Sequence, residues 1–95
     1  MRRRPAPTKD DLALLDPDGA FRDRLLADRA AILPLADAGR IDELAPLVHR
    51  LAGAAGTFGY AGIGDAAIEL DEALRDGRSG TAPLLAALRQ ALEAL

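Results

Sequence analysis

The sequence predicts an all-α fold: an antiparallel up-down four-helix bundle preceded by a short N-terminal helix or tail. Three observations carry this. Alanine and leucine dominate an apolar fraction of 49%, and Phe21, Phe58 and Tyr60 are the only aromatics, so the core must be aliphatic and helix formers outnumber strand formers. Apolar residues recur three and four positions apart, and no segment sustains the alternation of a strand. Proline and glycine punctuate the chain where helices would start and stop. At 95 residues with 28% charged, the chain is long enough for one folded domain and too apolar for disorder.

Residues 1–7 read as a flexible basic tail, and 8–95 as one helical domain. Thr8 followed by Asp11 resembles a capping box and would start a short helix through Leu12, Leu14 and Leu15. Asp16-Pro17-Asp18 places an N-cap residue, a proline at the first helical position and an acid in the first turn. The helix it starts runs through Phe21, Leu25, Ile32 and Leu35 to Ala38, with Gly39 as its stop. Pro34 predicts a kink or an early end, since it removes a backbone bond and clashes with the preceding turn.

The second helix begins between Arg40 and Glu43. A cap at Asp42 or Glu43 would put Pro46 in the first turn or just beyond it, where its missing N–H matters least. Ile41, Leu44, Val48, Leu51 and Ala55 form its inward stripe, and it ends near Phe58. A third helix spans about 61–76, with Ile63, Ala67, Leu70 and Leu74 inward and Gly77 as its stop. Glu69, Asp71, Glu72 and Asp76 read as its solvated acidic side. Phe58 and Tyr60 wedge the turn before it. The last helix starts near Thr81-Ala82-Pro83, with Leu85, Leu88, Leu92 and Leu95 inward, flanked by Leu84 and Ala91.

Composition removes several functions. The net charge of −3 gives no reason to expect a general affinity for nucleic acid, and no nucleic-acid partner is expected. Lys9 is the only lysine; the Arg2-Arg3-Arg4 cluster lacks the apolar region of a signal peptide, and no window is long enough for a membrane span. A monomeric, cytoplasmic protein is expected. Absence of cysteine removes disulfides, thiolate metal sites and a cysteine nucleophile, and a single histidine disfavours a histidine metal site. Ser79, the one serine, sits in a turn-like stretch and makes a poor triad nucleophile. The Gly-x-x-Gly spacing from Gly53 to Gly62 lacks the Gly-Lys-Ser/Thr ending of a nucleotide loop, and no strand precedes it.

That leaves His49. At about 100° per residue it lies roughly 130° from the centre of its helix's apolar stripe, facing solvent or the edge of the bundle. Its neighbours one turn away are small: Ala45 and Pro46 before it, Ala52 and Gly53 after it, with Gly56 a turn further. Gly53 and Gly56 each cost a helix about 1 kcal/mol relative to alanine. Clearance for an approaching macromolecule, close helix packing, or the end of the helix would each account for them. A neutral imidazole is a good nucleophile near neutral pH, and attack on phosphorus gives a labile phosphoramidate.

The run His49-Arg50-Leu51-Ala52-Gly53-Ala54-Ala55-Gly56-Thr57-Phe58-Gly59 resembles the signature of histidine phosphotransfer (HPt) domains of two-component phosphorelays, His-x-Leu-Lys-Gly-small-small-x-x-apolar-Gly. Leu70-Asp71-Glu72-Ala73 is similar to the Leu-Glu-x-Ala stretch of that family's third helix. The resemblance implies a four-helix bundle whose exposed histidine, His49, accepts a phosphoryl group at Nε2. It implies exchange with an aspartate of response-regulator receiver domains, or with a hybrid histidine kinase. The chain would be a phosphotransfer protein and not an independent catalyst, needing no cofactor of its own because the receiver brings Mg²⁺. Pro46, Arg50, Ala52, Gly53, Gly56 and Phe58 would form the receiver-docking surface. Ala52 departs from the pattern, standing where the family carries a lysine. Arg50 points about 100° away from the histidine, but its guanidinium is long enough to reach an approaching receiver. Two other classes remain open: an HPt-like adaptor that binds receivers without transfer, and an unrelated helical interaction module.

Overall fold

The structure, a computed structural model, describes residues 14–95. Four helices build these residues: α1 (Ala20–Asp37), α2 (Ile41–Ala54), α3 (Ala61–Arg75) and α4 (Ala82–Glu93). Short connections turn each helix back along its predecessor. α2 packs on α3, α3 on α4, and α1 on both α2 and α4, which closes the ring; the diagonal pairs keep their backbones further apart. The predicted four-helix bundle is therefore the fold, with no strand among the described residues. Leu14 and Leu15 are helical, while the rest of the expected short helix and the tail 1–7 lie outside the described residues.

The core follows the apolar stripes. Leu25, Ile32, Leu44, Val48, Leu51, Leu70, Leu88 and Leu92 are fully buried, and burial of each such side chain contributes roughly 1.5–3 kcal/mol. Four residues expected inward sit at the margins. Ile41, at the first turn of α2, is exposed, and Leu74, Leu85 and Leu95 are half-buried, with Ala73 filling the core beside Leu74. The residues nearest the helix ends have fewer partners to cover them.

The start of α1 differs from expectation in an instructive way. α1 begins at Ala20 after Gly19, not at Pro17. Asp16 still caps it, from across a turn: its carboxylate accepts the N–H of Phe21 at 3.1 Å and of Arg22 at 2.9 Å. α1 also runs through Pro34 to Asp37, so of the two outcomes expected there, a kink or an early end, the early end does not occur. Pro34 lies in the last turn on an exposed face, where one lost bond is cheap. α2 starts at Ile41 after its cap Arg40, within the expected window, and Pro46 falls in its second turn, just beyond the first.

α2 ends at Ala54, four residues before Phe58. A turn follows and closes at Gly59, whose φ of 94° suits glycine, with the N–H of Tyr60 donating to the carbonyl of Ala55 at 2.9 Å. The same closure ends α1, where the N–H of Arg40 donates to Leu35 across Gly39. Phe58 and Tyr60 do wedge this turn. Phe58 stacks on Phe21 of α1 with ring centroids 4.2 Å apart, and Tyr60 tilts against Phe21 at 6.0 Å. Burial pushes the Tyr60 phenol above its ordinary pKa. At the opposite end Arg89 of α4 grips Asp37 of α1 and, at 3.0 Å, Glu93. The hydrogen bond from Arg89 holds the Asp37 carboxyl below its ordinary range.

Candidate functional site

The α2–α3 hairpin builds the site. Leu44, Val48, Leu51 and Ala55 turn one face of α2 into the core, and His49 follows Val48 around the helix by about 100°. Its side chain is 66% exposed, the expected solvent-facing position. It is not free, however. Nδ1 lies 3.1 Å from Oδ2 of Asp71 on α3.

Asp71 is the main correction to the sequence reading. It is buried, not part of a solvated acidic face, whereas Glu69, Glu72 and Asp76 are exposed. Four residues after buried Ala67, it stands one position past Leu70 on the edge of α3 that meets α2. That spacing was the available signal: an acid next to an inward stripe. A carboxylate can only accept, so the hydrogen of this bond belongs to Nδ1. In the neutral imidazole Nε2, the ring nitrogen not engaged by α3, then carries the lone pair. A second contact reaches the same oxygen: Arg75, one turn later on α3, places Nη1 3.9 Å from Oδ2.

Arg50, next in sequence, engages the other neighbour of α2. Its Nη2 donates at 2.6 Å to Oδ1 of Asp28, a buried carboxylate on α1. The guanidinium is thus anchored within the chain, with 46% of the side chain still exposed. Asp28 too was missed, although it sits three residues after Leu25 and four before Ile32, on the apolar stripe of α1.

The small residues around His49 divide into two groups. A Cβ added at Gly53 or Gly56 would meet nothing within 4 Å, so neither glycine is explained by packing of its own side-chain position. Close approach falls instead on Gly64 of α3, where a Cβ would come 3.0 Å from the Gly56 nitrogen. Pro46 is exposed and Ala52 half-buried. Phe58 is half-buried, with its ring against Phe21, and Ile68 of α3 is 41% exposed one turn before Asp71. Ile68 had no place in the sequence reading because an apolar residue on a helix edge carries no signal of exposure.

Among the described residues, no group of three or more histidine, cysteine, aspartate or glutamate side chains gathers as a metal site would require. None of the described helices is long and apolar enough to cross a membrane. Comparison with curated proteins and with solved structures gave no match. The sequence model of the Hpt domain does match, over residues 19–95, which takes in all four helices and His49. The chain therefore belongs to the Hpt domain family, the phosphotransfer carriers of two-component phosphorelays, which work with receiver domains and kinases.

Proposed function

We propose that this chain is a phosphorelay intermediate that carries a phosphoryl group on Nε2 of His49. The observation that supports this most is the pairing of an exposed imidazole with a buried carboxylate. Asp71 selects the tautomer whose Nε2 is nucleophilic, and it restrains the ring so that little orientation is lost on attack. The Nε2 lone pair forms the N–P bond as the P–O bond of a receiver's aspartyl phosphate breaks, and that electron pair leaves with the receiver carboxylate. The imidazole becomes positively charged, and the Asp71 carboxylate compensates that charge without taking the proton. Return of the phosphoryl group to another receiver aspartate reverses the step. A kinase can serve as the first donor by the same attack on phosphorus. The reading assigns Mg²⁺ and the carboxylates that hold it to the receiver.

The receiver would dock over Pro46, Ala52, Gly53 and Gly56, where no long side chain stands between a partner backbone and the ring. Arg50 and Phe58 would border that surface with their outer portions, their inner portions being held by Asp28 and Phe21. In this proposal the chain works as a monomer in the cytoplasm.

The test is labelling by phosphorylated receivers from the source organism. Wild-type protein acquires acid-labile, base-stable phosphate, and His49→Gln acquires none while keeping its helical circular dichroism. Phosphate on folded His49→Gln would end the proposal. Ala52 favours one second reading, since the position offers a methyl group where a cation would meet phosphoryl oxygens: an adaptor that binds receivers without transfer. Receiver binding with no labelling of the wild type would establish that instead.

A further inference from the structure

Phosphorylation at Nε2 raises a problem of charge. It adds about −1.5 to −2 charges to a ring already hydrogen-bonded to a buried carboxylate. The residues flanking His49 on its own helix, Ala45, Pro46, Ala52 and Gly53, contribute no cation. The neighbouring arginine, Arg50, is spoken for by Asp28 at 2.6 Å. Arg78 pairs with Asp76, and Arg89 with Asp37 and Glu93 at the far end of the bundle. Arg40 pairs with Glu43 at the start of α2, and the remaining arginines of the described residues, Arg22, Arg24 and Arg29, lie on α1, diagonally across the bundle from α3.

Arg75 is placed differently. It shares with His49 a single oxygen, Asp71 Oδ2, at 3.9 Å against 3.1 Å for the histidine. Its side chain is 69% exposed. An exposed acid–cation pair four apart on a helix contributes only about 0.3–0.5 kcal/mol, and this one sits near the limit of ion-pair distance. Arg75 is therefore held beside the ring by a link that is easily given up. A phosphoryl dianion is a stronger acceptor than a carboxylate oxygen already occupied by an imidazole N–H, and guanidinium pairs with it through two parallel hydrogen bonds.

We propose that Arg75 is the phosphoryl-binding cation of this site: on phosphorylation of His49 its guanidinium moves from Asp71 to the phosphoryl oxygens, supplying from α3 the charge that Ala52 does not supply from α2. The inference rests on His49 being the phosphorylated residue. It assigns Asp71 two successive jobs, holding Arg75 near the ring before transfer and balancing the charged ring after it. It also accounts for a lysine-less α2, because a cation approaching from α3 leaves the Ala52–Gly53–Gly56 surface open.

The experiment uses the full chain and potassium phosphoramidate, a small nitrogen-bound phosphoryl donor, so that no receiver surface enters the measurement. Phosphorylated protein is followed by ³¹P NMR after the donor is removed. Arg75→Ala should shorten the phosphohistidine lifetime about threefold to tenfold at low salt and move the ³¹P resonance. Arg75→Lys should recover most of the lifetime. Ala52→Lys should rescue Arg75→Ala while lengthening the wild-type lifetime little. The difference between wild type and Arg75→Ala should shrink above roughly 0.5 M salt, where exposed charges are screened. An unchanged or longer lifetime in Arg75→Ala, with an unmoved resonance, overturns the role of Arg75 and leaves the phosphorelay reading intact. Absence of phosphohistidine in the wild type with both phosphoramidate and phosphorylated receivers overturns both.

Discussion

Two buried aspartates flank α2, and consecutive residues of that helix answer them. Asp28 reaches in from α1 and takes Arg50; Asp71 reaches in from α3 and takes His49. The acids have nearly the same exposure, 9% and 12% of their side chains; Asp28 lies on the apolar stripe of α1 and Asp71 one position off that of α3. Their partners make them different. Arginine stays charged throughout any accessible pH and has no lone pair to offer, so Asp28–Arg50 can only be a fastening between helices. Imidazole bonded through Nδ1 keeps a nucleophilic nitrogen on its other side. One device, a carboxylate inserted between helices, thus yields a structural clamp on one side of α2 and a reactive site on the other.

The clamp carries the larger stability effect. Arg50→Ala leaves Asp28 buried beside no cation, an arrangement that costs about 2 kcal/mol once the half-exposure of Arg50 is allowed for. Thermal melting should fall by roughly 8–16 °C, with phosphoramidate labelling of His49 retained in the folded protein. Joint replacement, Asp28→Leu with Arg50→Met, should recover most of the loss, because no charge is then stranded. A melting temperature unmoved by Arg50→Ala would break the contrast on its structural side.

On the reactive side the expected effect is kinetic. Asp71→Asn removes the charge and can present either an amide oxygen or an amide N–H to Nδ1, so the tautomer with its lone pair on Nε2 is no longer enforced. Labelling should slow at least about tenfold, roughly 1.4 kcal/mol in the barrier, with a melting temperature close to wild type. ¹⁵N spectra of the His49 ring should show the exchange of tautomers directly. Equal labelling rates in Asp71→Asn and wild type would reduce Asp71 to another clamp.

Gly53→Leu sharpens the reading of the open surface beside the ring. Nothing opposes a Cβ there, and leucine is the better helix former, so stability should rise by about 0.5–1 kcal/mol. Labelling by phosphoramidate should persist while transfer from a receiver drops, since only the large donor needs the clearance. Full receiver transfer in this variant would make the glycine a matter of local structure alone.

The smallest effect belongs to Asp37, an exposed acid that serves as a control for the buried pair. Its hydrogen bond from Arg89 depresses its folded-state pKa. The stabilisation it brings is present above the ordinary carboxylate range and is lost as pH falls through the lowered value. Arg89→Ala should flatten the melting temperature against pH in that acidic window and change nothing in labelling.

How much of this was legible beforehand follows from what each feature depends on. The four helices were legible because a spacing of three and four is a property of the chain alone, as in Leu44, Val48 and Leu51. Gly39 and Gly77 marked ends for the same local reason: both adopt positive φ, which glycine favours. The exposure of His49 followed from rotation about one helix axis. Helix starts were less legible, since Asp16 caps α1 through a turn whose length no local pattern encodes.

The partners of His49 and Arg50 required the tertiary structure. An acid one step off an apolar stripe, like Asp71, has two outcomes, solvation or burial against a neighbouring helix. Which one prevails depends on how closely α2 and α3 pack, a distance set partly by Gly64 meeting Gly56. Asp28 was a plainer anomaly on the stripe of α1, but its partner lies 22 residues away on another helix. By itself the sequence determined the helices, their stops and the outward direction of the imidazole, because these arise from interactions within a turn or two of chain. Only the packing of α1, α2 and α3 decided which carboxylate meets which base, because that depends on the angle and distance between helices and not on spacing within any one of them.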